Sequence, residues 1–543
     1  MSKVVIEYGD YADGAKEAFV PSASEAEDFS NINQISTQGL VYPNYSNPIE
    51  LYSVMLDGGA VALPSDTDDK NVGLWSKQIS DDGGVFETQI VLTLIADELY
   101  SSSGISFEFD AANGIYPTQT NIKWYRDDEL LADKDYTPNN ANYFFANQVE
   151  YYNKVIISFS ALNMPYNRLK VRSVEFGRRI EFAGYDLKVL SLAQKTNPIS
   201  AELAISTSDF TIATDKQQDF YFQERQPLTI LFDNNLQAKV FVKSAKRKAK
   251  SVWSVKAEDY IGIMDSVQFY GGIYSNKAAT ELLGEIFATA KVPYEIDEAL
   301  SGETVTGYIP ITSCRGALMQ VLFAIGAVAI TAKTDVVKVG VLPTEENQVV
   351  ELNRILQGQS FEEDTKVTAV SVTVHSYKQI EDTVTAYDAV ESGIGDNIIV
   401  QFNEPLHSLT ISNGALVEFG ANYAIINAEE SCALVGKRYE HSTEVKTKKN
   451  PLVSATQSEN VKTVSRATLI SKRNIDNVLN KCYNYYVENK IARMKIVEGE
   501  TPTTIGDKIE VETEYIGNIT GVITSQQYNL SGNTIVKDTI IRM

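Results

Sequence analysis

Histidine and cysteine, the side chains that most often act as bases, nucleophiles or metal ligands, are sparse in this chain of 543 residues. They are His375, His407, His441, Cys314, Cys432 and Cys482. The cysteines are odd in number and lack C-x-x-C spacing, so no disulfide framework and no thiolate metal site is predicted. The sequence contains no H-E-x-x-H pair, Walker loop or G-x-S-x-G elbow. We therefore predict no enzyme activity, no catalytic residues, no cofactor and no metal site, although a hydrolase built from distant residues stays open.

Acidic residues outnumber basic ones by 71 to 48, and the net charge is −23. Paired carboxylates are therefore common and indicate no acid–base site, and the acidic cluster at 66–69 lacks the calcium-loop pattern. The net charge argues against sequence-specific nucleic-acid binding. The first residues contain no signal-peptide core, and no apolar run reaches bilayer-spanning length. We expect a protein that folds in a reducing cytoplasm and has no membrane segment.

One short stretch concentrates basic side chains. They are Lys243, Lys246, Arg247, Lys248 and Lys250. The flanking runs 238–242 and 252–255 alternate apolar and polar residues, so the cations are predicted at the tip of a β-hairpin. Three interpretations stay open: a solvated tip, a contact to an acidic neighbouring subunit, or a surface that faces DNA. The acidity of the whole chain argues against the third.

Residues 75–178 show short alternating strands separated by turn signals, as in a jelly-roll-like β-sandwich. The segment is rich in aromatic residues, and a glycan site would use exposed aromatic faces as stacking platforms. The candidate stacking residues are Tyr116, Trp124, Tyr125 and Tyr151. The alternative, which we favour because large aromatic residues usually fill cores, is that these rings pack inside the sandwich or an interface.

Helical periodicity predicts a first helix from the candidate N-cap Ser275 to a stop at Pro293, a second over 313–326 and a third over 471–492. Ser313 is a candidate N-cap of the second helix, and Gly326 is its candidate C-terminal stop. The predicted buried positions of the first and third helices are Ala279, Leu282, Leu283, Ile286, Phe287, Ala290, Ile475, Val478, Leu479, Cys482 and Tyr486.

Two further segments show the strand–turn pattern of small antiparallel barrels. The first, within 179–274, has a turn signal at 233–235 and ends in the D-Y-I-G run at 259–262. The second alternates regularly from 505 to 536, with turn signals at Gly517 and at 531–532. The predicted fold class is mainly β with α+β inserts, a multidomain chain with two small antiparallel β-barrels and an N-terminal jelly-roll-like β-sandwich.

The order of these motifs resembles the hub proteins found at the tail tip or baseplate of long-tailed phages and phage-tail-like bacteriocins. The similar blocks are the basic hairpin with its D-Y-I-G exit, the G-Y-I-P run at 307–310 with the helix after it, and the G-D-x-I-x-V run at 506–511. The resemblance implies a structural homotrimer that joins a six-fold tail tube to a three-fold spike.

The same resemblance implies the partners and the location of the protein. The expected partners are further copies of the chain, the tail tube protein, the spike or needle protein, the tape measure protein, and baseplate wedge or other baseplate proteins. The expected location is the virion tail tip or baseplate, after assembly in the cytoplasm of the bacterial host. Whether the particle is a phage or a headless bacteriocin, and whether its tail contracts, stay open.

The predicted organisation has six parts. They are an N-terminal arm at 1–74, the sandwich at 75–178, the first barrel at 179–274, a small α/β domain at 275–345, a β-rich domain with a long loop or hairpin at 346–465, and a helix with the second barrel at 466–543. Two other functions stay open, which are a glycan-binding adhesin that uses the sandwich and a cell-wall hydrolase.

Overall fold

A computed structural model of the chain describes residues 3–12, 14–26, 73–111, 113–213, 224–363, 365–388, 395–454, 456–487, 490–497, 503–531 and 534–543. The chain divides into a smaller unit, Glu7–Glu181, and a larger unit that combines Met1–Ile6 with Phe182–Met543. Strands dominate both units, so the predicted fold class is confirmed. The predicted arm at 1–74 lies largely outside the described residues, and its acidic cluster at 66–69 lies wholly outside them.

The elements up to Ala183 are β1 (Val4–Tyr11), α1 (Ala15–Ala18), β2 (Val20–Ala23), β3 (Leu74–Trp75), β4 (Val85–Glu108), β5 (Pro117–Arg126), β6 (Glu129–Tyr136), β7 (Asn142–Leu162), β8 (Lys170–Val171), β9 (Ser173–Glu175) and β10 (Gly177–Ala183).

The smaller unit is organised around the antiparallel pair β4 and β7, in a sheet of order β2-β4-β7-β5-β6 with β9 also on β4. Val155, Ile157 and Phe159 alternate along β7 and are fully buried, as expected for a strand with one face in the core. Register shifts between Ile95 and Gly104 bend the long pair. β4 is nevertheless continuous through this bend.

The elements after Ala183 are β11 (Leu187–Lys195), β12 (Thr207–Ala213), β13 (Pro227–Phe232), β14 (Asn235–Ala249), β15 (Val252–Glu258), α2 (Tyr260–Asp265), β16 (Gln268–Phe269), β17 (Gly272–Ala278), α3 (Ala279–Ala290), β18 (Tyr294–Ile296), β19 (Thr304–Ile309), β20 (Thr312–Ser313), α4 (Cys314–Ile325), β21 (Val328–Ile330), β22 (Val337–Gly340), β23 (Gln348–Val350), β24 (Ile355–Glu363), β25 (Ala369–Asp388), β26 (Gly395–Gln401), β27 (Leu406–Phe419), β28 (Tyr423–Lys449), β29 (Val461–Val464), α5 (Ile475–Val487), β30 (Lys490–Ile496), β31 (Lys508–Thr513), β32 (Gly517–Ser531) and β33 (Thr534–Arg542), with short 3-10 helices at Glu298–Leu300 and Leu352–Arg354.

In the region predicted as the first barrel, neighbouring strands are hydrogen-bonded in the order β13-β14-β15-β12-β11. Asp233 and Asn234 adopt positive φ angles of 49° and 63° between β13 and β14, which confirms the turn predicted there. Residues 214–223, between β12 and β13, lie outside the described residues. The D-Y-I-G run does not continue as a strand, because its residues begin the short helix α2.

In the region predicted as the second barrel, neighbouring strands are hydrogen-bonded in the order β31-β32-β33-β30-β24. The strand β23 pairs with the other edge of β31. The strands β23 and β24 lie at the two ends of this order. They are consecutive in the sequence and are joined through the 3-10 helix Leu352–Arg354. The two predicted barrels are not separate, because β11 pairs with β32 from Leu190 opposite Leu530 to Lys195 opposite Ser525. One sheet therefore runs through both.

The helices α3, α4 and α5 share an apolar core in the larger unit. Every predicted inward position of α3 is buried, and each large apolar side chain there contributes about 1.5–3 kcal/mol to folding. Ser313 caps α4 by accepting from the Gly316 N–H at 3.1 Å, and Gly326 ends it at a left-handed φ of 70°. Both helices are confirmed, but the predicted cap Ser275 is wrong, because β17 extends to Ala278 and α3 begins at Ala279.

The third predicted helix was too long. α5 ends at Val487, and β30 follows it from Lys490 to Ile496. Ala492, Met494 and Ile496 are buried at every second position, so strand periodicity and pairing with β24 and β33 prevail there.

The strands β25, β26, β27 and β28 form a long ribbon. β28 pairs with β25 along 433–449 and with β26 along 423–428, while β27 covers its other edge. The polar stretch at 437–462, for which a long hairpin or a loop was predicted, belongs to the hairpin as far as Lys449.

Candidate assembly interface

The basic stretch lies along a hairpin of two ordinary strands rather than in a loop at its tip. β14 extends to Ala249, β15 starts at Val252, and Lys246 and Arg247 face Ser254 and Trp253 across the pair. All five predicted cations are exposed. The strand pairing fixes their backbone positions, so this part of the surface presents its charges without the ordering cost of a free loop.

Two of these cations have partners within the hairpin. The Lys243 ammonium lies 2.6 Å from a Glu258 carboxylate oxygen. The Arg247 guanidinium lies 5.6 Å from the centre of the Trp253 ring and donates to the Lys250 carbonyl oxygen at 2.6 Å. Within the part of the chain that the structure describes, Lys246 and Lys248 form no ion pair. Their charges are therefore available to a solvent ion or to an acidic partner surface.

The base of the hairpin is held by Asp259, which is 2% exposed. One carboxylate oxygen accepts from the N–H groups of Ile261 and Gly262 at 3.1 and 3.3 Å and so caps α2. The other accepts from the Ser206 N–H at 3.1 Å and from the Thr331 hydroxyl at 2.6 Å. Burial raises the pKa of this carboxyl, and the hydrogen bonds from Thr331, Ser206 and Gly262 oppose that shift. Asp259 joins the hairpin to the helical core.

A buried polar cluster marks the second barrel close to the β11–β32 seam. The Lys537 ammonium is 3% exposed, donates to the Thr503 hydroxyl at 2.8 Å and lies 5.8 Å from the centre of the Tyr528 ring. Gln526 donates to the same hydroxyl at 3.1 Å and accepts from the Tyr528 hydroxyl at 3.1 Å. Gln526 lies opposite Gln194 of β11, so this cluster lies directly on the sheet that connects the barrels.

The structure separates the four candidate glycan-stacking aromatics. Trp124 is fully buried in the core of the smaller unit, so it offers no ring face to a sugar, and its selection as a stacking residue is corrected. Tyr116 and Tyr125 are half-buried, and Tyr151 is 58% exposed. The Arg126 guanidinium lies 6.0 Å from the Tyr151 ring centre. Sugar stacking at the three tyrosines stays a prediction.

The structure brings together two histidines that the sequence places far apart. His375 Nδ1 lies 3.0 Å from His441 Nε2, and His375 Nε2 lies 3.2 Å from the Ser465 carbonyl oxygen. Because a carbonyl only accepts, His375 carries its proton on Nε2 and accepts from His441 through Nδ1. Burial and the neighbouring His441 lower the pKa of His375. Tyr377 stacks on His441 with ring centres 4.5 Å apart. No sequence motif indicates this pair, because the contact depends on the register of β25 against β28.

Two of the cysteines pack in the apolar core around the helices. Cys314 and Cys482 are buried, and burial raises their pKa values to about 11 and about 12, so both thiols stay protonated at neutral pH. Among the described residues, no group of three or more histidine, cysteine or acidic side chains is arranged to hold a metal ion. None of the helices in those residues is both long and apolar enough to cross a bilayer.

Solved structures similar to this chain form a coherent class of phage tail and related particle proteins. No protein-family model and no curated protein matches the chain. A tail protein of Neisseria meningitidis is 10% identical, with 67% of this chain and 94% of that chain covered and a TM-score of 0.45. A 43 kDa prophage tail protein of Shewanella oneidensis is 7% identical, with coverages of 67% and 94% and a TM-score of 0.42.

A prophage tail protein of Listeria monocytogenes is 12% identical, with coverages of 67% and 91% and a TM-score of 0.39. Further similar structures are a type VI secretion component, a phage baseplate and a gene transfer agent virion. The resemblance predicted from the sequence is confirmed as a likeness to this class of structures. At these identities and TM-scores, the functional case depends on this chain's own strands and side chains.

Proposed function

We propose that this chain is the structural, non-enzymatic hub of a phage-tail-like particle, acting as a homotrimer that joins a six-fold tail tube to a three-fold spike. The observation that carries this proposal is the β11–β32 pairing, which places both barrel sheets of one chain in a single continuous sheet. A trimer of such chains presents six barrel sheets on one face. The three complete chains are related to one another by three-fold symmetry.

The physical advantage of a shared sheet is rigidity. Two barrels on a flexible linker would have to be ordered when the ring forms, and ordering a linker costs roughly 1–2 kcal/mol for each residue that is fixed. Backbone hydrogen bonds between β11 and β32 fix the barrels relative to each other before assembly. A preorganised chain of this type suits a static adaptor between two rings of different symmetry.

The proposed partners are other copies of the chain, the tube protein, the spike or needle protein, the tape measure protein and baseplate proteins, at the tail tip of a virion assembled in the host cytoplasm. The basic hairpin is the proposed contact to an acidic neighbouring subunit. Its free cations, Lys246 and Lys248, lie on a chain whose net charge is −23, so complementary acidic surface is available on another copy.

The hairpin contact is tested by a variant with Lys246→Glu, Arg247→Glu and Lys248→Glu. We expect self-association to weaken strongly at low salt and less at high salt, because the new charges repel an acidic partner and salt screens that repulsion. Sedimentation velocity across a salt series measures the effect. The matched control changes three other exposed lysines of the larger unit, Lys188, Lys462 and Lys472, to Glu. Equal association of wild type and hairpin variant at every salt concentration would show that the hairpin is not an interface.

A further inference from the structure

A cavity of about 360 Å³ lies in the larger unit between α4, α5 and the segment that follows β29. Ligand-binding pockets usually enclose roughly 300–1,000 Å³, so this cavity is of the size that holds one or two amino-acid residues. Its lining combines an apolar floor with several polar residues, of which Gln320 and Arg466 differ most in character. Neither of these two belongs to the basic hairpin.

The floor is formed by Met319 and Phe323 of α4 and by Val464 at the end of β29. Phe323 is only 5% exposed, while Met319 and Val464 are half-buried. Met319 and Phe323 are four residues apart on one helix face, which makes a continuous apolar strip. An aliphatic side chain placed on this strip would remove apolar surface from water on both sides.

The first polar group is the Gln320 side-chain amide. Its Nε2 donates to the Arg466 carbonyl oxygen at 3.0 Å, which fixes the orientation of the amide because a carbonyl accepts only. Its Oε1 is buried and has no hydrogen-bond partner within the described residues. A buried acceptor without a donor is unfavourable, so a ligand N–H at this position would remove that cost.

The second polar group is the Arg466 guanidinium, which is exposed at the cavity. Among the described residues that line the cavity, Arg466 is the only one with a charged side chain. A planar guanidinium with no carboxylate beside it favours a carboxylate ligand, which it can bind through two parallel hydrogen bonds. The lining of the cavity therefore combines a site for an anion, an N–H acceptor and an apolar floor.

We propose that this cavity binds the C-terminal residue of a partner polypeptide that ends in an aliphatic amino acid. A C-terminal residue carries a carboxylate, an N–H and a side chain on one α-carbon, and these match Arg466, Gln320 Oε1 and the Met319–Phe323 strip. An internal acidic residue separates its carboxylate from the backbone N–H by a longer side chain. The assignment does not depend on the trimer or on the hairpin contact.

The test uses the full-length chain and fluorescein-labelled hexapeptides, Gly-Ser-Gly-Ser-Gly-X, in which X is Leu, Ile, Val or Met. At least one peptide with a free carboxylate should bind, as measured by fluorescence polarisation at protein concentrations up to about 1 mM. The same peptide with an amidated terminus should bind roughly ten-fold more weakly or worse, because it lacks the charge that Arg466 recognises. An internal-acid peptide, Gly-Ser-Glu-Leu-Gly-Ser amide, should bind no better than the amidated peptide.

Arg466→Gln should weaken binding of the free-acid peptide by roughly ten-fold and leave binding of the amidated peptide unchanged. Arg473→Gln is the matched control, since Arg473 contacts Asn276 outside the cavity, and it should bind the peptide as wild type does. Thermal unfolding of both variants checks that they are folded. The proposal is overturned if no free-acid peptide binds, if acid and amide bind equally, if the internal-acid peptide binds as tightly as the free acid, or if Arg466→Gln has no effect.

Discussion

The basic hairpin of the first barrel and Lys537 of the second barrel place cations in opposite environments. The first barrel carries Lys246 and Lys248 on an exposed hairpin, whereas the second carries Lys537 in its interior at 3% exposure. A buried ammonium must be compensated by hydrogen bonds and aromatic faces of its own chain, as Thr503 and Tyr528 do here. An exposed ammonium needs no such partner.

This difference separates the two roles that a lysine can have in an assembling protein. Lys537 is expected to affect assembly only through the fold, because its side chain is buried within its own chain. The hairpin lysines can affect the fold very little, because surface charges far from a packed network contribute almost nothing to stability. Stability and assembly should therefore respond to substitutions in different barrels.

The largest loss of stability is expected from the interior of the second barrel. Lys537→Ala removes the hydrogen bond to Thr503 and leaves a cavity beside Tyr528, so unfolding should become easier by about 3 kcal/mol. Lys537→Met keeps most of the side-chain volume without a buried charge, so it should lose less stability than Lys537→Ala. Urea unfolding followed by intrinsic fluorescence measures both. Equal midpoints for wild type and Lys537→Ala would contradict the buried role.

A smaller loss is expected at the base of the first barrel's hairpin. Asp259→Ala removes the cap of α2 and the bonds to Ser206 and Thr331, which should cost about 2 kcal/mol. Asp265→Ala, at the exposed end of the same helix, is the control and should cost less than about 0.5 kcal/mol. If the two variants unfold at the same urea concentration, Asp259 does not join the hairpin to the core.

The ribbon offers a pH test of the same contrast between buried and exposed groups. The pKa of buried His375 is lowered from the ordinary value of 6.5, so the folded chain holds it neutral. Its contribution to stability is fully present above pH 6.5 and is lost as the pH falls towards the lowered pKa, because the unfolded chain binds the proton first.

We therefore expect His375→Gln to have a flatter stability profile between neutral and mildly acidic pH than wild type. His407→Gln is the control, since His407 is only half-buried. Urea midpoints across a pH series give the comparison. A wild-type slope that His375→Gln leaves unchanged would show that this imidazole does not govern the acid response.

The smallest stability change is expected from the exposed hairpin. The variant Lys246→Glu, Arg247→Glu, Lys248→Glu should unfold within about 0.5 kcal/mol of wild type, although its self-association should change with salt. Arg247 is the one member with a neighbouring ring, at 5.6 Å in Trp253, so it should account for most of any loss. A loss as large as that of Lys537→Ala would remove the distinction between the barrels.

Local signals predicted the helices of the larger unit well. Ala279–Ala290 and Cys314–Ile325 follow a helical apolar period, and the second carries its cap and its stop within the same short stretch. The turn at Asp233 and Asn234 was equally local, because left-handed backbone favours those residue types. Such features need only neighbouring residues to form, so one sequence suffices to find them.

Features that depend on distant partners were not predicted. The β11–β32 seam joins residues more than three hundred positions apart, as at Leu190 and Leu530, and no periodicity within either strand indicates it. The same holds for the contact of His375 with His441 and for the cavity beside Arg466. Strand periodicity at 490–496 was present but was assigned to α5, because the helical period before it was extended too far.

The central claim is that three copies of this chain form a ring with six similar barrel sheets on one face. Electron microscopy of the purified full-length chain, with class averages viewed along the ring axis and masses confirmed by mass photometry, tests it most directly. The account predicts particles of three chains, each of 60.1 kDa, with three-fold symmetry and a pseudo-six-fold face. A stable monomer at all concentrations and in the presence of the tail tube and spike proteins would contradict it.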